Sequence, residues 1–464
     1  MFMILLIRFS IPALAAFLLV ESIASQTLQT QYRDVAGRLL GAALVDEGGW
    51  NKLSHVTTHI GHRLSGSPQL EQALRWIFDR MKADGLDNVR LQPVKVPRWV
   101  RGQESARMTA PMEKPLSMLG FGSSIGTPPQ GITAPVVVVS SFDELDVLGS
   151  AKVAGKIVVY DVNSKQYTST YRNNGAARAA KHGAVAVLVR SMTGSSLYTP
   201  HTGNQDYVEG IAKIPAAGIT IEDAALIRRL VESGQEVKVF LKMEARTLPD
   251  ADSANVMGEI IGSELPNEVV VLGGHIDSWD VGHGAHDDLG GVIAAWQAVV
   301  LMRQVGLKPR RTVRAVGWTN EENGARGGQS YRDVLGAEKR HVAAIEMDDG
   351  AERPLGFRFS LQDATGESPK YRAAKRKLED IVQLLNGIGV NTIVSGSAGT
   401  DIGPLTQDGI PSLGLFTTSE HYFEWHHSHA DTLDKIDPQH FRLCIASLAV
   451  MAFVLADMPG ELSN

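Results

Sequence analysis

The chain has 464 residues, 44% of them hydrophobic and 21% charged, with a formal net charge of −6. That length exceeds one ordinary domain, and the composition excludes a disordered or fibrous chain. The mild acidity, with no basic run and no basic-aromatic stripe, gives no support for nucleic-acid binding.

The N-terminus stands apart. MFMILLIR carries one positive charge, FSIPALAAFLLV is apolar, and ESIASQ brings small residues. This predicts a signal peptide over residues 1–25, cleaved near Ala24 or Ser25, and a secreted or periplasmic protein without stable membrane association. The competing expectation is a membrane anchor, since Met3 to Val20 almost reaches spanning length, but Arg8 interrupts that run. Cys444 is the only cysteine. Intrachain disulfides and thiolate clusters are therefore excluded, and any metal must be held by His, Asp and Glu.

A helical lead-in follows the signal. Ser67-Pro68 marks a helix start, and apolar spacing carries that helix to Gly85. NVRLQPVKVPRW alternates like a strand, and GFGSSIGTPP is loop-like. From about Thr133 to Glu244, short strands (PVVVV, GKIVVYDV, AVAVLVR, VKVFLKMEA) enclose helices AARAAKHG and EDAALIRRLVESG, as in a separate α/β module. From about Ala254, strands EVVVLGG, RTVRAVGW and HVAAIEM alternate with helices, and PQHFRLCIASLAVMAFVLADM closes the chain. The expected fold is α/β, a mostly parallel mixed sheet sandwiched by helices, with a smaller inserted α/β domain. The expected division is 1–25 signal, 26–132 first part of the main domain, 133–246 insert, and 247–464 second part.

Three acidic clusters occupy three consecutive strand ends: HIDSWD after EVVVLGG, TNEEN after RTVRAVGW, and DDG after HVAAIEM. Open α/β sheets bind ligands outside the carboxyl ends of their strands, so the clusters converge on one crevice. Two other motifs are set aside. Gly282-His283-Gly284 has Asp287 where a dinucleotide fingerprint needs its third glycine. Gly122-Ser123-Ser124-Ile125-Gly126 runs into Thr127-Pro128-Pro129 rather than the helix of a nucleophile elbow.

His275 and Asp277 lie two apart at a strand end and project to one side, so the carboxylate is spaced to orient the imidazole of a metal ligand. Asp287-Asp288 precede a helix, where one suits a metal and the other a cap; the doublet alone does not separate them. Glu321-Glu322 are neighbours past a strand and point in different directions, one toward a metal and one toward substrate. Like charges side by side raise one another's pKa, which suits a general base. Glu424 to Thr432 contains His426, His427 and His429, which cannot all serve one centre in extended geometry.

Taken together, GGHIDSWDVGHGAHDDLGG, GWTNEENGARGG, EMDDG, SAGTDI and HHSHADT resemble, in order and spacing, the two-zinc peptidases of the aminopeptidase/glutamate carboxypeptidase superfamily. GHRLSGSPQLEQALRW and VKVPRWVRGQE look similar too, and the insert resembles a protease-associated domain. The resemblance covers nearly the whole mature chain. It implies two zinc ions per subunit held by His275, Asp287, Glu322, Asp348 and His427, with Asp287 as the bridge. It further implies Glu321 as general base and Asp277 as the partner of His275. His427 is favoured over His426 and His429 because the family's ligand lies four residues before the Asp of Asp431-Thr432. Asp348 is favoured over Asp349 by the pattern Glu346-Met347-Asp348. His283 and His286 stand at variable positions and add alternative ligands. Paired metals acidify a shared water and polarise the scissile carbonyl, and Tyr422 is a candidate oxyanion donor. The implied activity is hydrolysis of dipeptides or short peptides with free termini. The rivals are an aminopeptidase on longer chains, a non-catalytic receptor like the transferrin receptor, and a one-metal glutaminyl cyclase. A homodimer is plausible by family precedent.

Overall fold

The computed structural model describes residues 11–162, 169–362 and 368–462, with side chains from Leu28 onward. Side-chain features of the expected signal peptide, residues 1–25, lie outside the described residues. Among the described residues the chain builds two sheets of eight strands each.

The first sheet runs Asp87–Val100, Arg246–Ile260, Arg311–Trp318, Leu265–His275, Arg340–Glu346, Ser412–Thr417, Pro354–Ser360, Thr392–Ser395. Its centre is parallel: Leu265–His275 pairs in parallel with both neighbours, and Arg340–Glu346 with Ser412–Thr417. Strands buried on both faces need continuous apolar runs, and Val269, Val270, Val271 and Leu272 are fully buried. Helix Gly290–Gln304 is almost wholly buried in the core of this unit, and Pro438–Asp457 is buried there from Cys444 to Ala456. The latter is long and apolar enough to cross a membrane, but its apolarity serves this core. The helix Ile11–Leu44 adds Tyr32, Ala36, Leu39 and Ala43 to the same cluster.

Register aligns the chemistry. His275 pairs with Trp318 and Gly273 with Glu346, so residues following those strands emerge side by side.

The second sheet runs Lys114–Leu116, Glu104–Ala110, Lys238–Met243, Ile132–Val139, Ile157–Tyr160, Ala186–Arg190, Ala216–Ile219, Met118–Gly120. Its centre is also parallel. It begins upstream of Thr133, because residues 104–120 supply three of its strands, with Ala106, Met108 and Leu116 turned into its core. The chain leaves the first sheet at Val100 and returns at Arg246; at that double crossover the Glu244 N–H donates to the Gln103 carbonyl at 3.0 Å. The segment 121–131 is loop, apart from a bridge between Gly122 and Asn204.

Candidate metal centre

The loop after His275 is folded around two buried charges. Arg63, fully buried, donates to the carbonyls of Ile276 (2.7 Å), His283 (2.7 Å) and Gly284 (2.9 Å), and to its near neighbour Gly61 (2.8 Å). Desolvation lowers its guanidinium to about 10. From the other side, the Asp431 carboxylate accepts the backbone N–H groups of Ala285 (3.0 Å), His286 (2.8 Å) and Asp287 (3.2 Å). Burial pushes Asp431 up to about 7, although those N–H groups pull it back. Asp288 fastens the loop to the strand and the next helix: it accepts from His275 N–H and Gly291 N–H, both at 3.0 Å. A Cβ at Gly274 would lie 2.1 Å from its oxygen, and one at Gly291 2.5 Å, so the strand and the helix can approach Asp288 only because both positions are glycine.

Asp287 thus stands at the middle of the crevice. Its Oδ1 lies 3.1 Å from His275 Nε2, and its Oδ2 lies 3.1 Å from His427 Nε2. Asp348 Oδ1 is 3.5 Å from His275 Nε2, and Glu322 Oε2 is 3.0 Å from His427 Nε2. All five side chains implied by the family resemblance are brought together, in two groups that share Asp287. His426 belongs to the second group as well: its Nε2 is 3.6 Å from Asp287 Oδ2, and its ring stacks on His427 at 3.5 Å. Among the described residues, His283, His286 and His429 offer no atom to either group. His286 instead accepts the Ala351 N–H at 3.1 Å through Nδ1.

Buried carboxylates without donors are costly. Glu322 Oε1 and Asp348 Oδ1 are buried with no hydrogen-bond partner. Burial pushes Glu322 up to about 8, with Asp287 adding to it, and Asp348 up to about 7. Burial alone would lower His427, but Glu322 and Asp287 hold it at about 9. These are the marks of a crowded group of acids answered by imidazoles alone: among the described residues no lysine or arginine pairs with Asp287, Glu322 or Asp348. The donor set is nitrogen and oxygen alone, which fits a borderline divalent ion such as zinc.

Asp277 departs from its expected contact. His275 Nδ1 lies 2.9 Å from the Asp277 backbone carbonyl and 3.7 Å from its carboxylate. That carboxylate instead accepts from Glu321 N–H (3.1 Å), Glu322 N–H (3.4 Å) and the Ser65 hydroxyl (3.1 Å). It therefore positions the Glu321-Glu322 turn. Glu322 takes its added repulsion from Asp287 rather than from its neighbour in sequence; adjacent side chains diverge here. Glu321 is partly exposed, and its charge raises both Asp348 and Asp277, so its carboxylate faces the cluster. Tyr422 is buried beside it. Burial first, then Asp287 and Asp348, hold its hydroxyl well above the ordinary phenol range, so it stays a donor.

Several residues of this site escaped the motif reading. Arg63 went unread and Asp431 served only as a spacing landmark, because both act on backbone groups of the loop, a role that no spacing rule reveals. Arg172 and Thr202 come from the second sheet's side: Arg172 Nη1 is 3.3 Å from His427 Nδ1, and Thr202 N–H donates to the His427 carbonyl at 2.8 Å.

Comparison with known proteins adds two family matches. The model for peptidase family M28 matches residues 255–452, and that for the PA domain matches 132–227. The chain is 42% identical to carboxypeptidase Q from Bos taurus over 433 residues, covering 92% of this chain and 90% of that protein. A crystal structure of a peptidase M28 precursor from Shewanella amazonensis SB2B superposes with a TM-score of 0.88 at 32% identity, covering 93% of this chain and 98% of that one. A zinc aminopeptidase from Bacillus subtilis, at 19% identity and a TM-score of 0.65, covers 89% of this chain and 96% of that one; it shares the fold.

Proposed function

The chain belongs to peptidase family M28 and is a metallo-exopeptidase, and we propose that it hydrolyses dipeptides or short peptides with free termini at a centre of two zinc ions. His275 and Asp348 would hold one ion, His427 and Glu322 the other, and Asp287 both. The carrying observation is that the two oxygens of Asp287 each face a different histidine Nε2 at 3.1 Å. When bound, paired zinc supplies Lewis acidity for a water and for the scissile carbonyl.

The chain's own groups do the rest. Asp277 accepts both backbone N–H groups of the Glu321-Glu322 turn and so aims the two side chains apart. Glu322 is turned to the metal side. Glu321, facing the same cluster but partly exposed, takes the proton of the attacking water and returns it to the leaving amine. Tyr422 offers a hydroxyl to the oxygen that gains charge in the transition state. Arg63 and Asp431 hold the loop that carries Asp287, so the cage keeps its shape without relying on substrate.

The name of the bovine relative favours removal of C-terminal residues. An aminopeptidase acting on longer chains would use the same kind of metal centre, and matched peptides with one terminus blocked separate the two readings. We further propose that the PA-type insert spans the whole second sheet, about residues 103–245, and that residues 1–25 direct export. Glu321→Gln tests the centre. It should retain zinc by elemental analysis and lose about 10²–10⁴-fold or more in kcat; near wild-type hydrolysis of dipeptides would remove Glu321 from the mechanism.

A further inference from the structure

Asp280 belongs to the metal loop, yet neither zinc chemistry nor the loop's own hydrogen bonds require it. It is held by a buried cation at the crossover between the two sheets. The Arg101 guanidinium donates to the two Asp280 oxygens, at 2.9 Å from Nε and 2.5 Å from Nη2. The Arg101 side chain is 9% exposed. It also reaches into the second sheet, donating to the Gly120 carbonyl and lying 3.3 Å from Glu104 Oε1.

From this pair two routes lead to His427. One is polar: Arg101 Nη2 lies 3.4 Å from Thr202 Oγ1, and the Thr202 N–H donates to the His427 carbonyl at 2.8 Å. The other is aromatic. The guanidinium sits 5.0 Å from the Trp99 ring, and Trp99 meets Trp279 edge to face at 6.4 Å. Trp279, the residue before Asp280, then meets the His427 imidazole edge to face at 5.7 Å. The indole reaches the second unit at Gly122, where a Cβ would lie 2.0 Å from the Trp279 ring. His427 needs such fixing. Its φ is +57°, and a non-glycine residue keeps that conformation only where its surroundings determine it.

We propose that Arg101 is a positioning residue of the metal centre: its pair with Asp280 locks the inserted sheet onto the metal loop and thereby sets the backbone and ring of His427. The inference rests on the reading of His427 as a zinc ligand.

The test uses the full chain carrying Arg101→Met, Arg101→Lys or Asp280→Asn. Each protein is stripped of metal and titrated with zinc against a chromophoric chelator. Arg101→Met and Asp280→Asn should weaken one of the two zinc ions by about 10- to 100-fold, the usual effect of losing a group that orients a ligand, while the other ion holds. Arg101→Lys should fall between, because an ammonium reproduces only part of a forked contact. In a His427→Ala background, Arg101→Met should weaken zinc no further, since coupled residues are not additive. Arg101→Met leaves Asp280 and Glu104 without their cation. Should it fail to fold by near-UV circular dichroism, Asp280→Asn decides, because Arg101 there keeps Glu104. Folded variants that bind both ions as wild type does, or that lose both equally, overturn the inference and leave the zinc reading standing. A wild-type protein that takes up no zinc overturns that reading and the inference with it.

Discussion

The two sheets share a plan, four parallel strands at the centre of each, and differ in what answers the acids at their carboxyl ends. In the second sheet, Asp161 follows the strand Ile157–Tyr160 and is met by Arg228 and, at 3.6 Å, by Arg190. Within the first sheet itself, the buried Glu259 is met by Arg314 at 2.8 Å. At the carboxyl ends of that sheet, Glu322 and Asp348 meet histidines, and each keeps a buried oxygen that accepts no hydrogen bond. An acid at a strand end is thus ordinary; a group of them paired with imidazoles and with no lysine or arginine is what points to metal. The fold places the side chains, and histidines standing where the second sheet has arginines distinguish the site from its twin.

The largest effect should come from removing the metal that answers these acids. Exhaustive chelation should abolish hydrolysis and zinc add-back should restore it. It should also destabilise the protein by about 4 kcal/mol for each ion present at a thousandfold excess over its Kd. An enzyme whose melting temperature and activity ignore the chelator would erase the contrast between the sheets. His427→Ala sharpens the contrast: zinc content should fall toward one ion per chain by elemental analysis. Unchanged stoichiometry would move the ligand role to His426, whose Nε2 already lies 3.6 Å from Asp287 Oδ2. Arg63→Met should cost about 3 kcal/mol or more in urea unfolding, because buried carbonyls of Ile276, His283 and Gly284 lose their donor. A loss under about 1 kcal/mol would mean that water replaces it.

The sequence spoke clearly where chemistry repeats with the chain. A strand run such as EVVVLGG is continuously apolar because both faces are buried, and the acids that follow it and its neighbours converge because parallel register aligns His275 with Trp318 and Gly273 with Glu346. His427, by contrast, came from family spacing: in the structure His426 stacks on it at 3.5 Å, and residue type alone does not separate them. The start of the second sheet was obscured by short edge strands, since Lys114–Leu116 and Met118–Gly120 are each three residues long. Asp277 was tied to the right turn by the wrong atom: its carbonyl holds His275 while its carboxylate holds Glu321 and Glu322. Backbone acceptors carry no residue signature, which is also why Arg63 was invisible as a loop clamp.

The smallest effect tests the quiet half of the comparison. Asp161 occupies the position in the second sheet that Asp348 occupies in the first, just beyond a central parallel strand, yet its charge is balanced by Arg228 and Arg190. Asp161→Asn keeps the shape and an acceptor oxygen while removing the charge, so the two arginines lose attraction but not every hydrogen bond. Their partial exposure limits the cost: stability should fall by about 1 kcal/mol in denaturant titration. Zinc content and kcat/KM should stay within about twofold of wild type, because none of Asp161, Arg190 and Arg228 is bonded to a residue of the metal cage. A tenfold loss of activity with stability intact would show that the second sheet's strand ends belong to the site, and that countercharge alone does not tell the two halves apart.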